Sequence, residues 1–194
     1  MKLLDLFNII EQHKAFNQNK SSDTKAKYMN LKSNQKPIAM LITCVDSRIM
    51  PEQILGLNPG DIFCLRVIAS LVPENDPATN SAIEYAVQHL NIKDIIVMGH
   101  SNCGGISALT KDLDESPIKQ WLGPWQQQAK LWLDDCSINE QLHCQQQATL
   151  KSLANIEKLS FINKNIRLHA WHLDIANTTI SVYNNSKQQF SPIG

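Results

Sequence analysis

The sequence predicts an α/β fold, with a mainly parallel central sheet of about four parallel strands plus an antiparallel edge strand, flanked by helices. Short, continuous apolar runs at 38–43 and 95–98 lack alternation and read as strands buried on both faces. Segments of helical periodicity separate these runs, as parallel crossovers require. Turn signals at Pro51, at Asn58-Pro59-Gly60-Asp61 and at Gly104-Gly105 punctuate the alternation.

Residues 3–16 place Leu3, Leu6, Phe7 and Ile10 at helical spacing, with Asp5, Asn8, Glu11 and Gln12 opposite. This amphipathic helix packs either on its own domain or on a neighbouring subunit. Ser21-Ser22-Asp23 caps a second short helix running through Leu31. The whole chain, 1–194, is expected to be a single domain, with residues 1–34 as an N-terminal helical arm and 35–194 as the α/β core. After the first strand, Pro59-Gly60 suits the centre of a type II turn. The second buried strand, 62–68, is interrupted only by Arg66. Ser81-x-x-Glu84 reads as a capping box opening a helix whose apolar face is Ala82, Ile83, Ala86, Val87 and Leu90. The third strand is 94–99, and Gly104-Gly105 start a helix reaching Asp112. Residues 117–160 read as helical with a break at Gly123-Pro124. Trp121, Leu122, Trp125, Ala129, Trp132 and Leu133 form one apolar face, and Leu150, Leu153, Ala154 and Phe161 another. Such a stripe is core. Residues 166–171 form the fourth strand and 178–183 the antiparallel edge strand.

A chain of 194 residues can bury a substantial core. Its 18 basic and 18 acidic residues balance, which argues against nucleic acid or an anionic membrane as partner. No apolar run approaches the roughly 20 residues that span a bilayer. The N-terminus begins like a signal peptide, but Asp5 and Glu11 interrupt it and no small-residue cleavage site follows. Five cysteines, an odd number in a chain that needs no staples, fit a reducing compartment. The expected location is the cytoplasm.

Chemistry gathers at two strand ends. Thr43-Cys44-Val45-Asp46-Ser47-Arg48 follows the first strand, and Gly99-His100-Ser101-Asn102-Cys103-Gly104-Gly105 follows the third. In an open α/β sheet, ligands bind beyond the carboxyl ends of strands. Cys44 and His100 become neighbours if the strand order switches there. Two thiolates and an imidazole select zinc over magnesium or calcium. Three protein ligands plus water is the catalytic arrangement, and zinc lowers the pKa of that water from about 15.7 toward 7. Asp46 can then accept a hydrogen bond from the zinc-bound hydroxide or become the fourth ligand. A bidentate Arg48 favours the first, because it keeps the carboxylate ionised and turned away. The amides of Gly104 and Gly105 suit a neighbouring anion. Each piece alone is weak: His-x-x-Cys arises by chance, and an Asp-Arg pair is usually a plain salt bridge. Their joint placement carries the reading.

These residues resemble the β-class carbonic anhydrases, which carry a Cys-x-Asp-x-Arg segment followed by His-x-x-Cys. The likeness extends through Pro51-Glu52-Gln53-Ile54-Leu55, Pro59-Gly60-Asp61, 82–87 and 99–106, and more weakly through 168–175. It implies zinc, one ion per chain, on Cys44, His100 and Cys103. It also implies reversible hydration of carbon dioxide to bicarbonate, with Asp46 and Arg48 as the catalytic dyad. By position, Gln35, Phe63, Ile68, Tyr85 and Gly104 resemble the substrate pocket of the plant-type branch. Gln35 would donate to bicarbonate, while Phe63, Ile68 and Tyr85 would form the apolar wall. A homodimer or dimer-based higher oligomer is implied, with sites at the subunit boundary.

Some members have a second, inhibitory bicarbonate pocket built from tryptophan, arginine and tyrosine. The matching positions are Leu41, Arg66 and Leu173, so no such switch is expected. Val67 stands where the family usually has asparagine, Ala69-Ser70 where a small residue precedes asparagine, and Ala170 and Thr178 near usual glycines. The Val67 and Ser70 departures are the support for one rival, a non-catalytic zinc-binding relative; a second rival is a related zinc hydrolase acting on carbon disulfide or carbonyl sulfide. The Gln35, Phe63 and Tyr85 set argues for carbon dioxide. Cys64 reads as a small core residue. Cys136, His143 and Cys144 have no partner cluster that would make a second metal site, and no histidine is assignable as a proton shuttle.

Overall fold

Among the residues that the computed structural model describes, 6–133 and 140–193, six strands form one sheet. They are β1 (Ala39–Cys44), β2 (Ile62–Val67), β3 (Asp94–His100), β4 (Arg167–Asp174), β5 (Thr179–Asn184) and β6 (Gln189–Pro192). Their spatial order is β2-β1-β3-β4-β5-β6. The first four in that order pair in parallel and the last two antiparallel. From β1 the chain goes outward to β2 and then returns to β3 on the other flank of β1. That reversal opens a crevice at the carboxyl ends of β1 and β3. β5 is not the edge of the sheet, because β6 pairs with it through Asn184↔Gln189 to Ser181↔Pro192. The four residues of β6 are too short and polar to show a strand pattern, and Pro192 ends the run.

The chain divides into two compact units, residues 1–35 and 36–194. The first contains α1 (Leu6–Asn19) and α2 (Ser22–Asn30). Ser21 caps α2 as expected, its Oγ accepting from the Thr24 amide at 3.1 Å. Ile9, Ile10, Phe16, Tyr28 and Met29 are exposed in this unit.

In the second unit α3 (Pro51–Leu55) follows β1, and the Pro59-Gly60 turn precedes β2. Gly60 has φ 92° and the Asp61 amide donates to Asn58 O, the geometry of a type II turn. α4 (Pro77–Glu84) does not open with the Ser81-Glu84 box. Its cap is Asp76, whose Oδ2 accepts from the Thr79 amide at 2.7 Å, with Pro77 in the first helical position. Ser81 lies inside the helix and donates to Ala78 O. A wider helical turn, Tyr85–His89, completes the crossover.

α5 (Gly104–Ser107) and a tight turn over Ala108–Thr110 match the short helix expected there. α6 (Pro117–Leu133) runs unbroken through Pro124, contrary to the expected break. The carbonyl that Pro124 leaves without a helical partner belongs to exposed Gln120, where water can reach it. α7 (Glu140–Glu157) follows. Of the expected stripe on α6, Leu122, Trp125 and Ala129 are buried and Trp121 is half-buried, while the side chains of Trp132 and Leu133 lie outside the described residues. On α7, Leu150, Leu153 and Ala154 are only half-buried. The buried side carries Cys144, Gln145, Ala148, Thr149, Ser152, Asn155 and Ile156.

Strand alternation divides the core by sheet face. Leu41, Ile96, Met98 and Leu173 face one way and belong to one cluster with α6, while Met40, Ile42, Ile95 and Val97 face the other way in a cluster with α4. α7 contributes to both, and Cys44, at the end of β1, joins the first cluster.

Candidate metal centre

β1 and β3 run side by side with Thr43 opposite Met98, so Cys44 and His100 end their strands at the same rim. The chain leaves β3 through Ser101 and Asn102, and Asn102 takes φ 54°. This turn delivers Cys103 to the N-cap of α5. The two thiols and the imidazole thereby have their ligand atoms within 4.8 Å of one another, and all three residues are buried. They are the one such group of three among the described residues.

The imidazole is oriented for coordination. His100 Nδ1 donates to Ser101 O at 2.9 Å, which leaves Nε2 as the lone-pair nitrogen. That Nε2 is buried without a hydrogen-bond partner. A buried orphan acceptor costs free energy unless something binds it, and an ion between it and two sulfurs removes the cost. The donor set, two sulfurs and one imidazole nitrogen, fits a borderline-soft divalent cation.

The two thiols are coupled. The Cys103 S–H donates to Cys44, pulling the Cys44 thiol far below its ordinary range against the opposing effect of burial. His100 and the amides of Asp46 and Ala69 add to that stabilisation. Holding the shared proton and being buried push Cys103 up, although the Ile106 and Gly105 amides face it. The pair thus loses its first proton easily and its second with difficulty, until a cation compensates the second charge.

Asp46 is turned into a fork. Arg48 Nε donates to Oδ1 at 2.9 Å and Nη2 to Oδ2 at 2.7 Å, while the Arg48 amide donates to Oδ1 at 3.0 Å. The guanidinium holds this carboxyl well below the usual carboxylate range. Arg48 Nη2 also donates to Asn102 O at 3.0 Å, tying the β1 loop to the β3 loop. Arg66, on edge strand β2, donates to Cys44 O at 3.1 Å and Asp46 O at 2.7 Å. That support was not legible in the sequence, where Arg66 interrupted an apolar run and matched the arginine of a second bicarbonate pocket. Leu41 and Leu173, expected to replace the aromatic members of a second anion pocket, are fully packed in the core.

The substrate-pocket residues separate. Ile68 lies beside Gly105, where a built Cβ would stand 3.0 Å from Ile68 Cγ2 and 2.8 Å from Ala69 Cβ. Gly104 is exposed at the start of α5, and a Cβ there would meet nothing within 4 Å. Phe63 and Tyr85 pair with ring centroids 6.0 Å apart. Phe63, however, packs with the cluster that contains neither Cys44 nor Cys103. Gln35 is the exposed last residue of the first unit. Cys64 is half-buried, and burial pushes its thiol up to about 11, as befits a core thiol. Cys136 lies outside the described residues, His143 is exposed and Cys144 is buried.

The family profile described as carbonic anhydrase matches residues 39–180. Beta carbonic anhydrase 5, chloroplastic, of Arabidopsis thaliana is 35% identical over 175 residues, covering 84% of this chain and 58% of the relative. The chain belongs to the β-class carbonic anhydrases. It spans little more than half the length of that plant member. Among solved structures, the β-carbonic anhydrase CcaA superposes with a TM-score of 0.90 at 26% identity, covering 97% of this chain and 92% of that one. Tetrameric β-carbonic anhydrases from Sordaria macrospora reach 0.78 at 26% identity, with coverage of 90% and 94%. No helix among the described residues is long and apolar enough to cross a membrane.

Proposed function

We propose that the chain is a zinc-dependent carbonic anhydrase that reversibly hydrates carbon dioxide to bicarbonate. The observation that carries this reading is the triad of buried ligand atoms with an orphan His100 Nε2 beside a carboxylate already claimed by Arg48. One zinc ion on Cys44, His100 and Cys103 would supply hydroxide at neutral pH by acidifying a coordinated water toward a pKa of about 7. Arg48 keeps Asp46 ionised and off the metal, so Asp46 is left to accept a hydrogen bond and orient the nucleophile. Ile68 and Gly104 flank the centre from the same chain.

Phe63 and Tyr85 would line a common pocket with them where a second copy brings its Phe63–Tyr85 pair to this rim. Tyr85 is 43% exposed, and Val45 and Met50 near the rim are exposed as well. Together with the tetrameric relatives, this supports a homodimer or dimer-based oligomer. The odd number of cysteines in a chain of this size supports a reducing, cytoplasmic location.

Stopped-flow hydration between about pH 6 and 9, on protein of measured zinc content, tests the proposal. Cys103→Ala is expected to lose zinc. Asp46→Asn is expected to keep one zinc per chain and lose about 10²-fold in rate. One zinc per chain without hydration at any pH would favour the non-catalytic relative, and turnover of carbon disulfide instead would favour the hydrolase.

A further inference from the structure

We infer that Gln145 is a positioning residue for the metal centre, holding the loop between His100 and Cys103 in ligating register; this rests on the zinc site proposed above. Gln145 lies on α7, far from that loop in sequence, and is 3% exposed. What brings it close is Gly99. α7 crosses β3 where there is no side chain, and a Cβ there would stand 2.5 Å from Thr149 Oγ1 and 3.4 Å from Gln145 O.

The Gln145 amide makes three contacts. Nε2 donates to His100 O at 3.0 Å and to His172 Nε2 at 2.9 Å, and Oε1 accepts from the Asn102 amide at 3.2 Å. The reverse orientation would leave its oxygen facing only acceptors and its nitrogen only donors.

Two of these contacts are to main-chain atoms on either side of Ser101. That residue's carbonyl orients the His100 ring, and its Oγ accepts from the Ile175 amide at 2.9 Å. The loop is therefore gripped from β4 on one side and from α7 on the other. The grip falls at Asn102, whose left-handed backbone has no glycine to relieve it. Without Gln145, the His100 carbonyl and Asn102 amide would lose their buried partner. The turn would then be free to relax away from the geometry that sets Nε2 against the sulfurs.

Gln145→Met conserves shape and removes the hydrogen bonds. Zinc affinity of the folded variant, by chelator competition, is expected to fall about 10- to 100-fold, with an altered visible spectrum of the cobalt(II)-substituted protein. A merely structural glutamine would lower the melting temperature and move neither readout. Affinity and spectrum both unchanged from wild type would overturn the inference. Should the variant not fold, amide exchange in the wild type decides. The Asn102 N–H, on an exposed residue, is expected to exchange slowly, and exchange at the rate of an unstructured peptide refutes the contact. A wild-type protein that takes no zinc would sink the proposed function; equal zinc binding by wild type and Gln145→Met would sink only the role of Gln145.

Discussion

Adding one methyl group at Gly99 should separate α7 from the strand that carries His100. The new Cβ would stand 2.5 Å from Thr149 Oγ1, closer than real carbon–oxygen contacts allow, and 3.4 Å from Gln145 O. Thr149 is buried, and its hydroxyl donates to Gln145 O at 2.8 Å, so the β-branched side chain has few ways to turn aside. Overpacking of this kind costs about 1–3 kcal/mol. The lower unfolded-state entropy of alanine returns up to about 1 kcal/mol, leaving a net loss of about 1–2 kcal/mol. Thr149→Ala alone removes one methyl and one weak hydrogen bond, for a loss of about 1–2 kcal/mol. In the double variant the clashing oxygen is gone and the remaining Thr149 Cβ lies at an ordinary 3.9 Å. The pair should therefore be at least about 1 kcal/mol more stable than the sum of the singles predicts. Urea unfolding followed by tryptophan fluorescence, at one protein concentration and one zinc loading, measures this coupling. Losses that add to within about 0.5 kcal/mol would show that α7 does not press on Gly99 and would refute the reasoning.

Acid should destabilise the fold through His172. Burial depresses its pKa to about 4, with His100 adding to the effect, so between about pH 6.5 and about 4 the unfolded chain binds a proton that the native chain refuses. Its contribution is complete above about pH 6.5 and is lost as pH falls toward about 4, an order of 2 kcal/mol that His172→Phe should remove from the urea-midpoint profile. Bicarbonate should inhibit hydration hyperbolically, because Leu41 and Leu173 are core residues and the Arg66 guanidinium already serves two carbonyls. A sigmoidal dependence on bicarbonate or pH, with Asp46 found on the metal, would contradict that.

The Cys44, His100 and Cys103 group was readable because the chemistry stands at the ends of two apolar runs, and parallel strands announce themselves by such runs. Cys44 and His100 are brought together by the β1–β3 neighbour relation, which the topology rule for open sheets anticipates. Elements failed where a local signal had a stronger competitor nearby. The Ser81-Glu84 pattern is a genuine capping box on paper, but Asp76-Pro77 starts the helix a turn earlier. Pro124 is a breaker in isolation, yet the packing of Leu122 and Trp125 outweighs one missing hydrogen bond facing solvent. The inner side of α7 was misread for a different reason. Periodicity finds apolar stripes, and here the buried stripe contains Gln145, Thr149, Ser152 and Asn155, whose spacing is helical but whose chemistry is polar. Only the partners reveal why it is buried: Ser152 Oγ accepts from the Val72 amide and Asn155 Nδ2 donates to Val72 O.

Those last two bonds bear on a segment of unusual backbone. Ala69 and Ser70 are consecutive, carry side chains, and both sit in the left-handed region at φ 60° and 57°. Each such residue costs on the order of 1–2 kcal/mol, so the surroundings must hold them there. They do so from three sides. The Ser70 hydroxyl donates to Met98 O at 2.8 Å, α7 grips Val72 at both main-chain atoms, and Trp121 Nε1 donates to Ile68 O at 3.2 Å. The kink directs the Ala69 amide at the Cys44 sulfur and sets Ala69 against Gly105, which has no Cβ to obstruct it. The strain is thus located where it supplies a hydrogen bond to a thiolate, and the same helix that steadies it also reaches the His100 loop through Gln145. The serine at 70 that departs from the family pattern is therefore accommodated: it ties the kink to β3 through its hydroxyl. Replacing Ser70 with alanine removes that tie without relieving the backbone. It should cost more stability than the same change at exposed Ser81, whose hydroxyl bonds only within its own helix. Equal losses at the two positions would mean that the kink is held by packing alone.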